Sequence, residues 1–561
     1  MTALPLPDLL RSENGFTARV RSFLLLSARL AVLLAAYVVV VRWLSHTGHL
    51  ALHNYAQPAL FVEVGRRVLS SPLLLLLTAA LLLFRFRSVG HPWHEYQFGR
   101  ELRVFITLVA LVCAWAFSTY DYNLYFDRAH TLDRLLLVAL AVLIYWKPVF
   151  IFPFALLLYT IVWQFDYPLV GQYPWTEMNL PVRLLAMFAA LFLLNLVTGR
   201  RKTEDYIFLL CCLIPAFYWG SGIGKFQLNW ISHRQLHNLL FGAYSAGWLS
   251  FLEPSAIVSL VNGIARFTLP MMVFTLVVEW GALLFLSRRL VALALLIGFI
   301  LFHLGVFAIS GMFFWKWIFI EAALIALFIG RLKSLALPIF TPGHFLISLV
   351  LIGGGVIWFK PTNLSWYDTR LSYAYRFEGI GESGARYALP TPTFTPYSDM
   401  FTLGNFGYLN PGPQLTHIFG VTTDRWLART LLSVSSLEQV EALEQSYADS
   451  RFDPESSAAF DEFIQRFIGH LNQRKSKRTL FSILQAPPHL WSFSRQPTFT
   501  GVEPLRKVIV YQHTWLYDGG EFREIRSKPI RLIDIPETRV VHPFLIEKTG
   551  SHTTPEGVKN Q

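Results

Sequence analysis

The chain has 561 residues, of which 54% are hydrophobic and only 15% are charged, and its mean hydropathy is +0.43. Because soluble proteins carry about 25% charged residues, this composition excludes an ordinary soluble enzyme and predicts a polytopic membrane protein. The net charge of +12 does not indicate nucleic-acid binding. The Lys and Arg residues occur in short clusters between apolar runs, a pattern typical of topology signals.

The cysteines do not suggest a metal site or a disulfide framework. Cys113, Cys211 and Cys212 all lie inside apolar runs, and their spacing matches neither arrangement. We therefore expect them to be small buried hydrophobic residues and predict no metal.

The N-terminal residues 1–22 are polar and basic and are predicted to form a cytoplasmic segment. The apolar run that follows lacks a small-residue cleavage site, so we predict a retained signal anchor rather than a removed signal peptide.

A transmembrane domain is predicted over residues 23–359. About 20 apolar residues cross a bilayer, and the apolar runs predict nine to eleven spans. Three candidates are short enough to be tilted, re-entrant or shielded by protein, namely Arg134–Trp146, Val149–Phe165 and Tyr206–Trp219. The other candidates are Phe23–Trp43, Val68–Phe84, Leu102–Tyr120, Pro181–Thr198, Phe267–Leu286, Val291–Ile309, Phe313–Ile329 and Phe345–Phe359.

The basic clusters predict the orientation of these spans. With the N-terminus in the cytoplasm, five clusters fall on one side: Arg85/Arg87/Arg100, Lys147, Arg200–Lys202, Arg288/Arg289 and Arg331/Lys333. The loop 166–180 lies on the other side and contains acidic but no basic residues. This distribution follows the positive-inside rule. It predicts that Lys225 lies towards the outer face and that residues after Phe359 are outside the cytoplasm. We expect the membrane to be a bacterial inner membrane.

The composition changes after about residue 360, where Tyr, Thr, Pro and Gly replace the long apolar runs. We predict an extracytoplasmic, β-rich α+β domain over residues 360–549 and a flexible tail over 550–561. Amphipathic helices are predicted at Arg425–Tyr447 and Ala458–Leu471. A hairpin is predicted from Lys507–Tyr517 and Glu521–Ile533, joined by Asp518-Gly519-Gly520.

The stretch Phe217–Lys225 is the strongest candidate for a functional site. Gly220, Gly222 and Gly224 allow neighbouring backbones to approach closely, and Lys225 follows at or near membrane depth. A charged amine is costly there, which makes Lys225 a candidate functional residue. The alternative is a lysine that extends towards the headgroups from the end of an ordinary span.

The segment 226–266 contains a second pattern that could suggest a metal pair. His233 and His237 are four residues apart and would share one face of a helix. No third ligand lies at a convincing spacing, so an interfacial amphipathic helix is the preferred interpretation.

The central stretch resembles the vitamin K-dependent γ-glutamyl carboxylase and the wider family with the horizontally transferred transmembrane (HTTM) domain. In that family a small residue and a glycine precede a lysine, and a tryptophan follows it. The matching residues here are Ser221, Gly222, Lys225 and Trp230, with Tyr218 just upstream. The chain departs from the family in having Gly224 in place of a second lysine and Gln227 and Asn229 in place of acidic residues.

Two further stretches extend the resemblance over about residues 20–330. Glu279-Trp280, Ser287–Arg289, Phe302–Gly305 and Met312-Phe313 are similar to later spans of the family, which include an intramembrane histidine. The stretch from Asp127 to His130 resembles the segment around the family's other important histidine, in a looser register.

The resemblance implies an enzyme that couples the oxidation of a quinol to the modification of a peptide, such as carboxylation of glutamate. It implies reduced vitamin K or another quinol, with O2 and CO2, as cofactors. Lys225 would be the base, and His303 and His130 would stabilise developing oxyanions. The residues expected to bind the quinone or substrate are Tyr218, Trp219, Gly222, Trp230 and Glu279. Burial among Tyr218, Trp219, Phe226 and Trp230 would favour the neutral lysine.

Other hypotheses remain open at this stage. A non-catalytic maturation or immunity-type protein that binds a secreted polypeptide would tolerate replacement of Lys225. A transporter would also use intramembrane charges, although the two halves show no repeat. Glu279 could pair with Lys225 or His303, or with Arg288 or Arg289. Lys316 and Glu321, five residues apart, are not expected to pair directly.

Overall fold

We analysed a computed structural model of the chain. It describes residues 13–71, 92–165, 175–198, 202–331, 337–447, 450–474 and 483–537, with side chains from residue 19 onwards and, after the second gap, from residue 180. The predicted tail 550–561, most of the predicted span Val68–Phe84 and several of the basic clusters lie outside the described residues.

The first two thirds of the described chain are helical. The helices are α1 (Glu13–Gly48), α2 (Leu60–Leu69), α3 (Gly99–Ser118), α4 (Thr131–Trp146), α5 (Ile151–Trp163), α6 (Trp175–Thr198), α7 (Glu204–Gln227), α8 (Leu239–Ser245), α9 (Pro254–Ala265), α10 (Thr268–Gly281), α11 (Arg289–Ser310), α12 (Trp315–Leu324), α13 (Pro342–Gly353) and α14 (Gly355–Trp358).

Five helices in the described part of the chain are long and apolar enough to cross a membrane. They are α3, α7, α11, the part of α1 from Arg19 to Gly48, and the part of α6 from Leu180 to Thr198. If α9 and α10 are counted together as one bent span, with an angle of 63° between them, the total becomes six. Pro270, in the first turn of α10, accounts for this break, because it has no N–H to donate to the carbonyl of Arg266 and its ring would clash with that carbonyl in a continuous helix. Other predicted spans correspond to shorter helices, so the total of nine to eleven stays a prediction.

Helix α7 is the centre of the helical region and is longer than predicted. It continues beyond Trp219 to Gln227, so the three glycines and Lys225 belong to its last turns. From Tyr206 to Tyr218 every side chain is buried, because other helices surround it. An apolar run of this kind, without a polar face, is typical of a helix that is buried on all sides.

The C-terminal third contains a four-stranded antiparallel sheet in the order β3-β2-β5-β6. Its strands are β2 (Leu371–Gly381), β3 (Arg386–Ala388), β5 (Leu505–Tyr517) and β6 (Phe522–Asp534), and a separate pair joins β1 (Tyr367–Asp368) to β4 (Val421–Thr422). The predicted hairpin is confirmed, with Tyr517 opposite Phe522 at its turn.

The helices in the described part of this region are α15 (Ser398–Leu403), α16 (Arg425–Thr430), α17 (Leu437–Tyr447) and α18 (Pro454–Gln473). The single helix predicted over Arg425–Tyr447 is wrong, since the chain is non-helical between α16 and α17. Helix α18 contains the other predicted helix. Asp453 caps its N-terminus, since the Asp453 carboxylate accepts hydrogen bonds from the backbone N–H groups of Glu455 and Ser456.

The C-terminal region packs directly on one end of the helical region. The ring of Tyr397 contacts that of Phe165, and its hydroxyl donates to Asn123 at 3.0 Å. Tyr125 stacks on Phe463 of α18. The Lys225 end of α7 faces the same way, so the residues after α14 reach it.

Candidate functional site

Lys225 forms an ion pair with Glu279 of α10 inside the protein. The distance from Nζ to Oε1 is 2.5 Å, and the two residues are 8% and 1% exposed. Among the partners that the sequence allowed for Glu279, the structure thus selects Lys225. The cation also lies in the last turn of α7, where the helix dipole favours a positive charge.

Gly222 makes this pair possible, because it brings α7 very close to α10. A Cβ at Gly222 would lie 2.7 Å from Cδ1 of Trp280 and 3.0 Å from Cβ of Glu279. The carbonyl of Gly222 accepts a hydrogen bond from Nε1 of Trp280 at 3.0 Å. A side chain at residue 222 would therefore push the two helices apart.

The neighbouring glycines receive the segment 361–368, which leads from α14 into β1. A Cβ at Gly220 would meet Pro361, and one at Gly224 would meet Asn363 and Ser365. Lys225 Nζ donates to the carbonyl of Leu364 at 3.3 Å. The ring of Trp230, with its centroid 5.5 Å from Nζ, adds a cation–π contact.

A second polar group consists of Tyr218, His303 and Glu321, from α7, α11 and α12. The Tyr218 hydroxyl donates to Glu321 and lies 2.6 Å from Nε2 of His303. With this donation, the Tyr218 oxygen accepts from the Nε2–H of His303, which leaves Nδ1 as the acceptor nitrogen. Phe299 stacks on Tyr218 with ring centroids 3.6 Å apart.

Both polar groups border one cavity of about 500 Å³. Tyr218, Lys225, Glu279 and His303 line it, while the rest of its wall is mainly apolar and aromatic. Nδ1 of His303 and Oε2 of Glu279 have no hydrogen-bond partner within the described part of the chain. An apolar cavity with a few convergent polar groups is the usual form of a small-molecule site.

The cavity opens between α10 and α11, which diverge along their length. They touch at Val278 and Gly298, where a Cβ on the glycine would be 3.1 Å from the valine side chain. Gly305 lies seven residues, or about 10 Å, further along α11, and no described atom lies within 4 Å of the position its Cβ would take. Exposed lining residues flank the opening, namely Phe267, Pro270, Phe274 and Leu301, all of them apolar.

Asp368 of β1 contributes a third carboxyl group to the cavity wall. It is 2% exposed, and its Oδ1 accepts a hydrogen bond from Nε1 of Trp366 at 3.1 Å. Burial raises the pKa of Asp368 to about 8, although the Trp366 hydrogen bond and the charge of Lys225 oppose this. The C-terminal region thus supplies a carboxyl group that is mostly protonated at neutral pH.

Several predicted residues lie apart from the cavity. Trp219 packs against the helical core, and Phe226 is 65% exposed and contacts Trp280, so these two do not bury Lys225 as expected. His130 lies just before α4, where Nε2 is 3.0 Å from the carbonyl of Tyr55, and it does not line the cavity.

The histidines His233 and His237 do not share a helix, so the predicted interfacial helix over this segment is wrong. His233 follows a single turn and packs against the ring of Tyr367, at 4.8 Å between centroids. His237 lies in another short turn with Nδ1 3.0 Å from Oγ1 of Thr268. Burial lowers the pKa of His237 to about 4, so it is neutral at pH 7.

No family model, curated protein or solved structure matches this chain. Sequence reasoning did not assign Asp368 or Glu321 to the site. The cost of a carboxylate in an apolar run was a signal for Glu321, whereas Asp368 lies in a polar segment where acidic residues are common.

Proposed function

We propose that the protein is a membrane-embedded enzyme that binds a lipid-soluble quinol in the 500 Å³ cavity and uses Lys225 as its base. One observation carries the proposal: the Lys225–Glu279 pair and the Tyr218–His303–Glu321 group, distant in sequence, border the same apolar cavity. The resemblance to γ-glutamyl carboxylase supports the same chemistry, with a peptide at the outer membrane face as the modified substrate.

The membrane placement belongs to this proposal. Five or six helices of sufficient length and apolarity support a multi-pass protein. The basic clusters favour an inner-membrane orientation with the C-terminal region outside the cytoplasm. Because residues 361–368 contact the Lys225 end of α7, the cavity would then lie towards the outer face, where a secreted peptide can reach it.

The cavity fits a quinol in its chemistry. Its apolar walls suit a ring and an apolar chain, and the opening between α10 and α11 would face the bilayer core. The unpartnered Oε2 of Glu279 and Nδ1 of His303 are acceptors for hydroxyl groups. When bound, a reduced quinol supplies the electrons for O2 and thereby the base strength needed to deprotonate the γ-carbon of a glutamate side chain.

The chain's own residues would handle the first proton. Lys225 and Glu279 are close enough to exchange a proton, and a proton held by Glu279 leaves the neutral amine that a lysine base requires. His303, oriented by Tyr218 and Glu321, would accept a hydrogen bond from a quinol hydroxyl through Nδ1 and so position it in the cavity. In this tautomer His303 directs no N–H group at the cavity, so the oxyanion role that the resemblance implies does not fit the geometry. Asp368 in its protonated form adds a hydrogen-bond donor to the same wall.

Oxidation of a reduced naphthoquinone by the purified protein, followed as O2 uptake, tests the proposal. Lys225→Met removes the amine at similar volume and is expected to lower the rate by about 10²-fold or more. Lys316→Met is the matched control, since Lys316 is also a buried helical lysine, 5% exposed, and does not line the cavity.

Equal rates in the Lys225→Met and unaltered proteins would contradict the assignment of Lys225 as the base. If both proteins are inactive while a secreted polypeptide still co-purifies with them, the non-catalytic maturation hypothesis takes its place.

A further inference from the structure

A second, separate cleft of about 360 Å³ lies where α1, α2 and α5 meet. Six residues line it: Arg42, Ser45, His46, His49, Arg67 and Trp163. Arg42, Ser45 and His46 share one face of the last turns of α1, and His49 follows directly after the helix ends. The cleft is remote in sequence from the residues of the quinol cavity, and the two have no lining residue in common.

The cleft is lined by groups that bind anions. It combines two guanidinium groups, two imidazoles and a hydroxyl, and none of the described residues that line it is acidic. The nearest acidic residue along α2, Glu63, is paired with Arg66 at 2.8 Å. Guanidinium groups match the geometry of phosphate oxygens and can bind two of them at once.

Two contacts fix the shape of this cleft. Arg67 donates from Nη1 to the carbonyl of His49 at 2.5 Å, which ties α2 to the end of α1. The ring of His49 packs edge-on against Trp163, with centroids 4.5 Å apart. Arg42 of α1 and Arg67 of α2 line the same cleft, and Trp163 of α5 forms its remaining side. An anion placed there would therefore contact more than one helix.

The position of the cleft suggests where its anion comes from. It lies at the end of the apolar helix Arg19–Gly48, on the same end of the helical region as the contact between Phe165 and Tyr397. Tryptophan beside the ends of apolar helices is typical of the headgroup region of a bilayer. The anion would therefore be at headgroup level rather than in bulk water.

We propose that this cleft binds the phosphate group of an anionic membrane lipid, such as phosphatidylglycerol. The proposal rests on the membrane placement given above but not on the quinol chemistry. Arg42 and Arg67 hold the phosphate oxygens, and His46 and Ser45 add hydrogen bonds from α1. The bound lipid would hold α1, α2 and α5 together at the outer end of the helical region.

Lipid binding by the full chain in detergent, measured by native mass spectrometry, tests this inference. Phosphatidylglycerol is the anionic probe, and phosphatidylcholine is the reference lipid without net charge. Each arginine near a headgroup is worth about fivefold in affinity, so Arg42→Gln with Arg67→Gln should weaken phosphatidylglycerol binding about 25-fold. Arg66→Gln is the matched control, because Arg66 is adjacent to Arg67 but does not line the cleft.

Three outcomes would overturn the proposal. They are equal phosphatidylglycerol affinity in the double variant and the control, equal affinity of the unaltered protein for both lipids, and displacement of phosphatidylglycerol by an equal concentration of inorganic phosphate. The last would assign the cleft to a free anion. Because the measurement is lipid binding, it is independent of whether Lys225 supports quinol oxidation.

Discussion

Two buried polar clusters of the helical region differ in the groups that form hydrogen bonds with their side chains. Around His130, backbone groups provide the partners: Asp133 accepts from the N–H groups of Leu60 and Phe61 at 3.0 and 2.8 Å, which caps the start of α2. Arg134 donates to the carbonyls of Ser118 and Tyr120 at the end of α3. The buried groups of this corner thus hold helix ends in place.

Around Lys225 most partners are other side chains, and the cluster borders a cavity. Glu279 and Glu321 each have one carboxylate oxygen that makes no hydrogen bond in the described residues, and Nδ1 of His303 makes none there either. Buried polar atoms without a partner cost free energy unless a ligand or water satisfies them. Nδ1 of His130 also has no hydrogen-bond partner in the described residues, but His130 does not line the cavity. The comparison indicates that unpartnered buried atoms point to a binding site where a cavity is adjacent to them.

The largest effect on stability is expected at the ion pair. Lys225→Met leaves the buried carboxylate of Glu279 unpaired, which should lower the free energy of unfolding by about 3–5 kcal/mol. Adding Glu279→Gln removes the stranded charge and should restore most of the loss. Thermal unfolding of the two variants in detergent measures this, and equal losses in the single and double variants would contradict a direct pair.

A smaller loss is expected at the His130 corner. Asp133→Asn weakens two hydrogen bonds to backbone N–H groups and should lower the free energy of unfolding by about 2–3 kcal/mol. Because this corner only positions helix ends, quinol oxidation per folded molecule should stay unchanged. A specific loss of oxidation with normal thermal unfolding would mean that the corner belongs to the site after all.

Gly222→Ala tests the close contact of α7 and α10. The added Cβ would be too close to Trp280, so the free energy of unfolding should fall by about 1–3 kcal/mol. Gly263→Ala, in α9 with no described atom within 4 Å of its Cβ, is the control and should be neutral or slightly stabilising. Equal thermal unfolding of the two variants would show that the close contact does not hold the helices together.

The last predicted effect is the pH dependence of stability that Asp368 confers. Its pKa of about 8 in the folded protein exceeds the ordinary value of 3.8, so between these values the folded state binds a proton that the unfolded state has lost. Stability from this group is therefore lost as pH rises towards 8. Asp368→Asn should remove at least about 1.4 kcal/mol of the decline, the equivalent of one pKa unit. Parallel pH profiles of thermal unfolding in the two proteins would contradict this.

The sequence predicted the parts of the fold that depend on local pattern. The apolar runs indicated the long helices, and Asp518-Gly519-Gly520 indicated the hairpin. The glycines near Lys225 indicated close packing, and the structure shows what they contact. The sequence could not predict that α7 continues to Gln227. A segment with three glycines has a low intrinsic helix propensity, and here the neighbouring elements stabilise the helix.

The site itself depends on contacts between distant parts of the chain, which no local pattern contains. Lys225 was one of several partners considered for Glu279, and only the approach of α10 to α7 at Gly222 selects it. His130 was proposed for the site from a loose motif, yet its register places it 3.0 Å from the carbonyl of Tyr55. Asp368 enters the cavity because β1 pairs with β4, a contact across more than fifty residues.

The central claim is that the cavity between α7, α10 and α11 is the binding site. Binding of an oxidised naphthoquinone with an isoprenoid chain, followed by quenching of tryptophan fluorescence, tests it most directly, because Trp230, Trp317 and Trp366 line the cavity. Gly305→Phe should fill the opening, and Gly263→Phe is its control outside the cavity. Our account predicts saturable binding in the unaltered and Gly263→Phe proteins and a loss of at least about tenfold in affinity, or 1.4 kcal/mol, in Gly305→Phe. Equal affinity in all three proteins would contradict it.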